Sequence, residues 1–275
     1  MKIPPQKRLR MAEAAIEDDK LILPSPPDAI VKILAVLDDD DASPRKIAIE
    51  LNRDPALTAR IIKITKSASF QQHNDVTDLN QIIPRLGLKL IKTLVTSHMM
   101  LQMFAEPNLA HKQLLNQRYC HSRNVARYAY AIARYTRHVS AEDALLAGLM
   151  VDIGYLPLLQ FFGSDDVMDE KTLKEFLTQF HSRVGAQLLN KWHVPGAIVL
   201  AIAEHEDIQR QGSTRADLSD VIIIANLICR EIKQDSMPDK LDISAYDRLG
   251  IDRESDLSEL TEFLTIADTL LPGPI

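Results

Sequence analysis

The run EDALLAGLMVDIGYLPLL, positions 142–159, carries one interior carboxylate, Asp152, in an otherwise apolar stretch. An ionised carboxylate buried without a partner costs several kcal/mol on an order-of-magnitude scale, so Asp152 has to meet a cation, a metal or several hydrogen-bond donors. Asking which residues meet it sorts most of the other polar positions. Upstream, Ser140 and Asp143 form a capping pair for the helix leading into this run. Further upstream, Leu114, Tyr119, Val125, Ala129 and Ile132 repeat at helical spacing up to Tyr135, with His121 in the same stripe. Downstream, Leu173, Leu177, Phe180, Val184, Leu188 and Trp192 mark another helix, with His181 on its inner face. Pro195 opens a helix in which Ile198, Ile202 and His205 share a side. Leu218, Val221, Ile222, Ala225 and Cys229 mark the next, with Asn226 at the edge of its buried stripe. Helices of the second half thus carry His121, His181, His205 and Asn226 towards the side of Asp152, which predicts a shared polar pocket rather than scattered core hydrogen bonds.

The first half reads as shorter helices. Leu23 to Pro27 is a rigid, extended, proline-rich lead-in, and Asp28 opens a helix through Ile30, Ile33, Leu34 and Leu37. Ser43-Pro44 and Asp54-Pro55 each place a capping side chain before a proline at the first helical position. The loop 67–77 is followed by Leu79, Ile82, Ile83 and Leu86, with Gly87 placed to end that helix before Leu88, Ile91, Val95 and Met99 carry the next. His98, on that last apolar face, reads as a hydrogen-bonded core histidine, and Arg85, Lys89 and Lys92 as one solvated face. Residues 1–20 read as a short, loose helix with an apolar side of Leu9, Met11, Ala14 and Ala15. The segments 106–108 and 164–169 read as a junction and a polar insertion. In the tail, Leu257, Leu260, Leu264, Ala267 and Leu271 suggest a helix packed on the second half.

No strand alternation persists anywhere. The expected fold is all-α, two packed helical bundles, divided as an N-terminal extension (1–20), a first helical subdomain (21–106), a second (107–235) and a tail (236–275). Composition sets outer bounds: 275 residues, 46% hydrophobic and 25% charged, with a formal net charge of -6. These values suit a globular chain and disfavour a general nucleic-acid or anionic-membrane binder. No apolar run reads as a membrane span and no signal peptide is evident, so the expected location is the cytoplasm. The two cysteines, Cys120 and Cys229, read as reduced, partly buried thiols. No Gly-x-Gly-x-x-Gly loop and no nucleophile elbow occurs.

His121, the pair Val151-Asp152 with Ile153-Gly154, His181, His205-Glu206 and Ala225-Asn226 fall in an order that resembles the HD-superfamily metal phosphohydrolases. The closer resemblance is to the HDOD branch, an HD-related output domain of bacterial signalling proteins. Leu23-Pro24, the run from Arg53 to Thr58, and Arg85-Leu86-Gly87 look like that family's N-terminal region, and the similarity spans about residues 21 to 232. The resemblance implies an HD-like second bundle and a regulatory, non-catalytic role through binding a signalling protein or a small-molecule regulator. Two departures carry that reading. Val151 stands where the hydrolases have a histidine, and Asn226 where they have an aspartate. The pocket that remains, His121, Asp152, His181, His205, Glu206 and Asn226, reads as structural, with Asp152 accepting hydrogen bonds from His121 or His181. No cofactor is expected, although Asp152, His181 and His205 could still hold one divalent transition metal. The alternative is a mononuclear phosphohydrolase acting on a phosphate ester or nucleotide. No receiver, kinase or cyclase segment is evident, so any signal is expected from another chain.

Overall fold

The structure, a computed structural model, describes residues 4–67, 70, 76–105, 111–163, 169–212, 214–234, 243–251, 257–271 and 273. Among these the chain is helical, with no strand, as the periodicity predicts. The first half holds α1 (Pro5–Glu17), α2 (Asp28–Leu37), α3 (Pro44–Leu51), α4 (Pro55–Thr65), α5 (Leu79–Leu86) and α6 (Leu88–Ala105). The second holds α7 (Lys112–Thr136), α8 (Ala141–Met150), α9 (Tyr155–Phe162), α10 (Glu170–Lys191), α11 (Gly196–Glu204) and α12 (Leu218–Gln234). The tail adds α13 (Ser244–Leu249) and α14 (Thr261–Leu270), the latter preceded by a 3₁₀ turn, Leu257–Leu260.

Local chemistry places the helix starts. Ser43 accepts from the Lys46 amide, Asp54 from the Leu57 amide, Asp78 from the Asn80 amide and Ser140 from the Asp143 amide, each satisfying a donor that the first helical turn leaves open. Gly87 stops α5 with φ +78°, a conformation that costs a glycine little. Leu57, Ile61, Ile82, Ile91 and Leu94 of the first half and Leu145, Leu149, Val184 and Ile202 of the second belong to one continuous buried core. At its centre runs α8, with Ala144, Leu145, Ala147, Gly148, Leu149 and Met150 all buried, packed by α6, α7, α11 and α12. Ion pairs of Lys89 with Asp143 and of Lys92 with Asp38 lie along α6.

Four expectations need correction. First, α1 is docked, and its inner face is Ala12 and Ile16, both fully buried, while Met11 is 44% exposed. Arg8 of α1 donates to the carbonyls of Phe161 and Phe162 at the end of α9, a favourable place for a cation. Second, the stretch Ala141–Phe162 is apolar and long enough to cross a membrane by length and composition, with mean hydropathy 1.7 over a window that is 83% buried. Here it is α8, a turn and α9 in the core of the fold. Third, Cys120 is exposed, and only Cys229 is buried. Fourth, the tail contains α13, which has no clear apolar period in the sequence. The calls on 106–108 and on most of 164–169 lie outside the described residues; Asp169 caps α10 by accepting from the Thr172 amide.

Candidate functional site: a histidine and carboxylate pocket

Asp152 sits in the turn between α8 and α9, 2% exposed. Facing it are His181 from α10 and His205 from the end of α11, 2% and 1% exposed. One ligand atom from each of Asp152, His181 and His205 lies within 4.8 Å of the others. The approach of α10 depends on two glycines: a Cβ on Gly154 would overlap the His181 carbonyl oxygen and lie 2.7 Å from the Gly185 nitrogen.

The hydrogen bonds fix the tautomers. His181 Nδ1 donates to the carbonyls of Leu177 and Thr178, at 3.1 and 3.0 Å, and His205 Nδ1 to that of Ile202 at 2.7 Å. A carbonyl only accepts, so in each neutral ring the proton is on Nδ1 and the lone pair on Nε2. Those two Nε2 atoms face each other at 3.1 Å. Two lone pairs at that distance repel unless a proton or a metal ion lies between them.

Carboxylates surround this electron-rich point. Asp152 Oδ1 is 3.7 Å from His181 Nε2, too long for a hydrogen bond, and Oδ2 has no hydrogen-bond partner among the described residues. Glu206 Oε1 lies 3.6 Å from His181 Nε2 and 3.3 Å from His205 Nε2. Burial works against the Glu206 charge, but the neighbouring His181 and His205 rings, which donate to it from Nε2 only when protonated, and the charge of Arg230 prevail and hold its carboxyl well below the usual range. Beside Asp152, burial and then the Asp152 charge push the Tyr155 hydroxyl up to about 12, so it stays protonated.

His121 and Asn226 lie apart from that ligand cluster and on each other. His121 Nε2 donates to Asn226 Oδ1 at 2.9 Å, and the Asn226 amide donates to the His205 carbonyl at 3.3 Å. The expected hydrogen bond from His121 or His181 to Asp152 is therefore not made, because each imidazole donor has a better-placed acceptor. Val151 is fully buried at the end of α8 and offers no donor atom.

Two residues at the site escaped the reading of the sequence. Arg118, on α7, lies 3.9 Å from Asp152 Oδ2 with its guanidinium 5.0 Å from the centre of the Tyr155 ring. Arg230, on α12, contacts both oxygens of Glu206 through Nη2. Their signal was spacing: Arg118 comes one turn before His121, and Arg230 one turn after Asn226.

Residues 23–208 match the HDOD domain family. The chain belongs to that family. Similar folds include a protein of Shewanella amazonensis SB2B, provisionally named a metal-dependent phosphohydrolase, with TM-score 0.77 and 21% identity over 96% of this HDOD chain and 98% of the other. A second is an HDOD domain protein of unknown function from Geobacter sulfurreducens, with TM-score 0.64 and 19% identity over 98% and 99% of the two chains. A third, from Marinobacter aquaeolei VT8, carries the provisional name of signal transduction protein, with TM-score 0.59 and 20% identity over 96% of this chain and 64% of that one. At these identities the likeness concerns the fold alone. No curated protein matches the chain.

The donor set of Asp152, His181 and His205 suits one ion, since their ligand atoms lie within 4.8 Å of one another. Around a tetrahedral ion with ligand bonds of about 2.0–2.2 Å, neighbouring donor atoms stand roughly 3.3–3.6 Å apart. His181 Nε2 and His205 Nε2 are 3.1 Å apart, Glu206 Oε1 lies 3.3 and 3.6 Å from His205 Nε2 and His181 Nε2, and Asp152 Oδ1 lies 3.7 Å from His181 Nε2. Two imidazoles and a carboxylate make a mixed nitrogen and oxygen set, suited to a divalent transition metal, with Glu206 beside them.

Proposed function

We propose that this chain is a non-catalytic regulatory module of bacterial signal transduction, acting in the cytoplasm by binding a signalling protein or a small-molecule regulator. The observation that carries the reading is the pairing of His121 with Asn226 at 2.9 Å. Two-metal activation of a water needs both positions filled and bridged. Here the imidazole that would serve a second ion is committed to a neutral amide, and that amide is committed to the His205 backbone. Val151 supplies nothing in place of a further imidazole. What remains is at most a single-ion pocket inside an enzyme-like frame.

A second reading, a mononuclear phosphohydrolase, draws on the facing Nε2 lone pairs of His181 and His205. An ion held by Asp152, His181, His205 and Glu206 would supply Lewis acidity to a water or a phosphate oxygen. One experiment separates the two: metal content after purification without added metal, followed by assay of manganese-loaded and zinc-loaded protein on a generic phosphate diester, a monoester and nucleoside triphosphates. The regulatory reading expects no hydrolysis above that of the Asp152→Asn variant at any metal occupancy. Turnover that disappears in that variant overturns it in favour of the hydrolase.

A further inference from the structure

Glu206 is the outer wall of the pocket. Asp152, His181 and His205 are 2% exposed or less, whereas the Glu206 side chain is 27% exposed and that of Arg230 is 44% exposed. Glu206 therefore stands between Arg230 on its outer side and the two Nε2 atoms on its inner side. Inward, Oε1 stands 3.3 and 3.6 Å from the two Nε2 atoms, at the spacing a shared ion requires. Outward, Nη2 of Arg230 straddles both oxygens, with Oε2 at 2.6 Å. A carboxylate gripped by a guanidinium is a poorer metal ligand, because its lone pairs are shared and a fixed positive charge stands within reach of the incoming ion.

We propose that Arg230 is a built-in competitor of the metal: it draws on the fourth ligand, Glu206, and so sets how tightly the pocket holds a divalent ion. This deepens the regulatory reading and rests on its single-ion pocket. The geometry also gives the pocket an input. Arg230 is the exposed end of the network, so an anionic group that engages it from outside releases Glu206 inward, and by reciprocity a bound ion loosens Glu206 from Arg230. Helix α12 connects the two ends, since it carries Asn226, bonded to the His205 backbone, one turn before Arg230.

The test uses the full chain stripped with a chelator and titrated calorimetrically with zinc and with manganese. Arg230→Met keeps much of the side-chain volume and removes the charge; its affinity should rise by about tenfold or more. Arg230→Lys keeps the charge and should stay near the parent. In a Glu206→Gln background, which removes the contested ligand, Arg230→Met should bring no further rise. Thermal melts of each stripped variant check that the fold is retained. Unchanged or weaker binding in Arg230→Met, or a rise that persists in the Glu206→Gln background, overturns the proposal while Asp152-dependent binding by the parent keeps the single-ion pocket. If neither the parent nor any variant binds either ion, the pocket reading fails and the proposal falls with it.

Discussion

Asp152 is a buried carboxylate with few close partners. It is 2% exposed, its nearest cation is the Arg118 guanidinium at 3.9 Å, and Oδ2 has no hydrogen-bond partner among the described residues. Breaking a satisfied buried ion pair destabilises, but removing a poorly compensated buried charge relieves a desolvation cost. Asp152→Asn in excess chelator should therefore leave stability unchanged or raise it, by up to roughly 1–3 kcal/mol in urea unfolding, while abolishing metal binding. A clear loss of stability would mean that the carboxylate has donors the geometry does not reveal. Asn226 should behave in the opposite way. Asn226→Asp exchanges an amide donor for an oxygen that faces the His205 carbonyl, and should cost about 1–3 kcal/mol rather than repair the ligand set. His98 offers a pH test away from the pocket. Its Nε2 lies 3.1 Å from Asp54 Oδ2, yet burial lowers its pKa below the ordinary 6.5 against the pull of that carboxylate. Just below pH 6.5 the unfolded chain binds a proton that the folded chain refuses. The contribution of neutral His98 is thus complete above about pH 6.5 and is lost as pH falls through it. The slope of stability against pH just below 6.5 should flatten in His98→Gln. At this scale the members of the pocket were legible, because each is a lone polar residue on an apolar helical face. Their partners were not legible, since nothing in the spacing of His121 or His181 says that their donors bypass Asp152.

Among the helices, the starts marked by proline were the most legible, because Ser43-Pro44 and Asp54-Pro55 fix their ends by local chemistry alone. Which face a helix buries is decided by its neighbours, and there the reading of α1 was off by one residue: Ala12 and Ile16 point inward rather than Met11. The six-residue α13 is too short to establish a period. Two tight crossings shape the pocket. A Cβ on Gly148 of α8 would overlap the Ala126 backbone of α7, and one on Gly154 would overlap the His181 carbonyl. Gly154→Ala must push α10 outward. It should cost about 1–3 kcal/mol or more, and because His181 moves with α10, metal affinity should fall as well. Gly196, at the start of α11, is the control, since a Cβ there has no heavy atom within 4 Å. Gly196→Ala should be neutral or stabilise by about 0.4–1 kcal/mol through the unfolded chain, with metal binding unchanged. Equal losses in the two variants would show that crowding at Gly154 is not what holds the site.

Across the whole molecule, the N-terminal residues bind the first half of the chain onto the second, which no local pattern announces. Residues 1–20 read as charged and loose because their apolar face is narrow and its partners are about 150 residues away. Yet Ile16 is fully buried, the Gln187 amide donates to the Ile16 carbonyl at 3.1 Å and to Asp19 Oδ1 at 2.6 Å, and Arg8 closes the end of α9. The lead-in that follows is fastened by Trp192, whose indole N–H donates to the Pro24 carbonyl at 3.1 Å. Trp192 is the chain's single tryptophan, so it reports this contact without interference. Deleting residues 1–17 removes the buried faces of Ala12 and Ile16 and the Arg8 bonds, and should cost on the order of 2–4 kcal/mol. It should also loosen Pro24 from the indole, giving a red shift of Trp192 emission in the folded protein. Ile16→Ala leaves the chain length unchanged and should lower stability by about 2–5 kcal/mol with a smaller shift of emission. If the deletion leaves both the melting temperature and the emission unchanged, α1 is a passenger on α9 and α10, and the two halves are joined by their core alone.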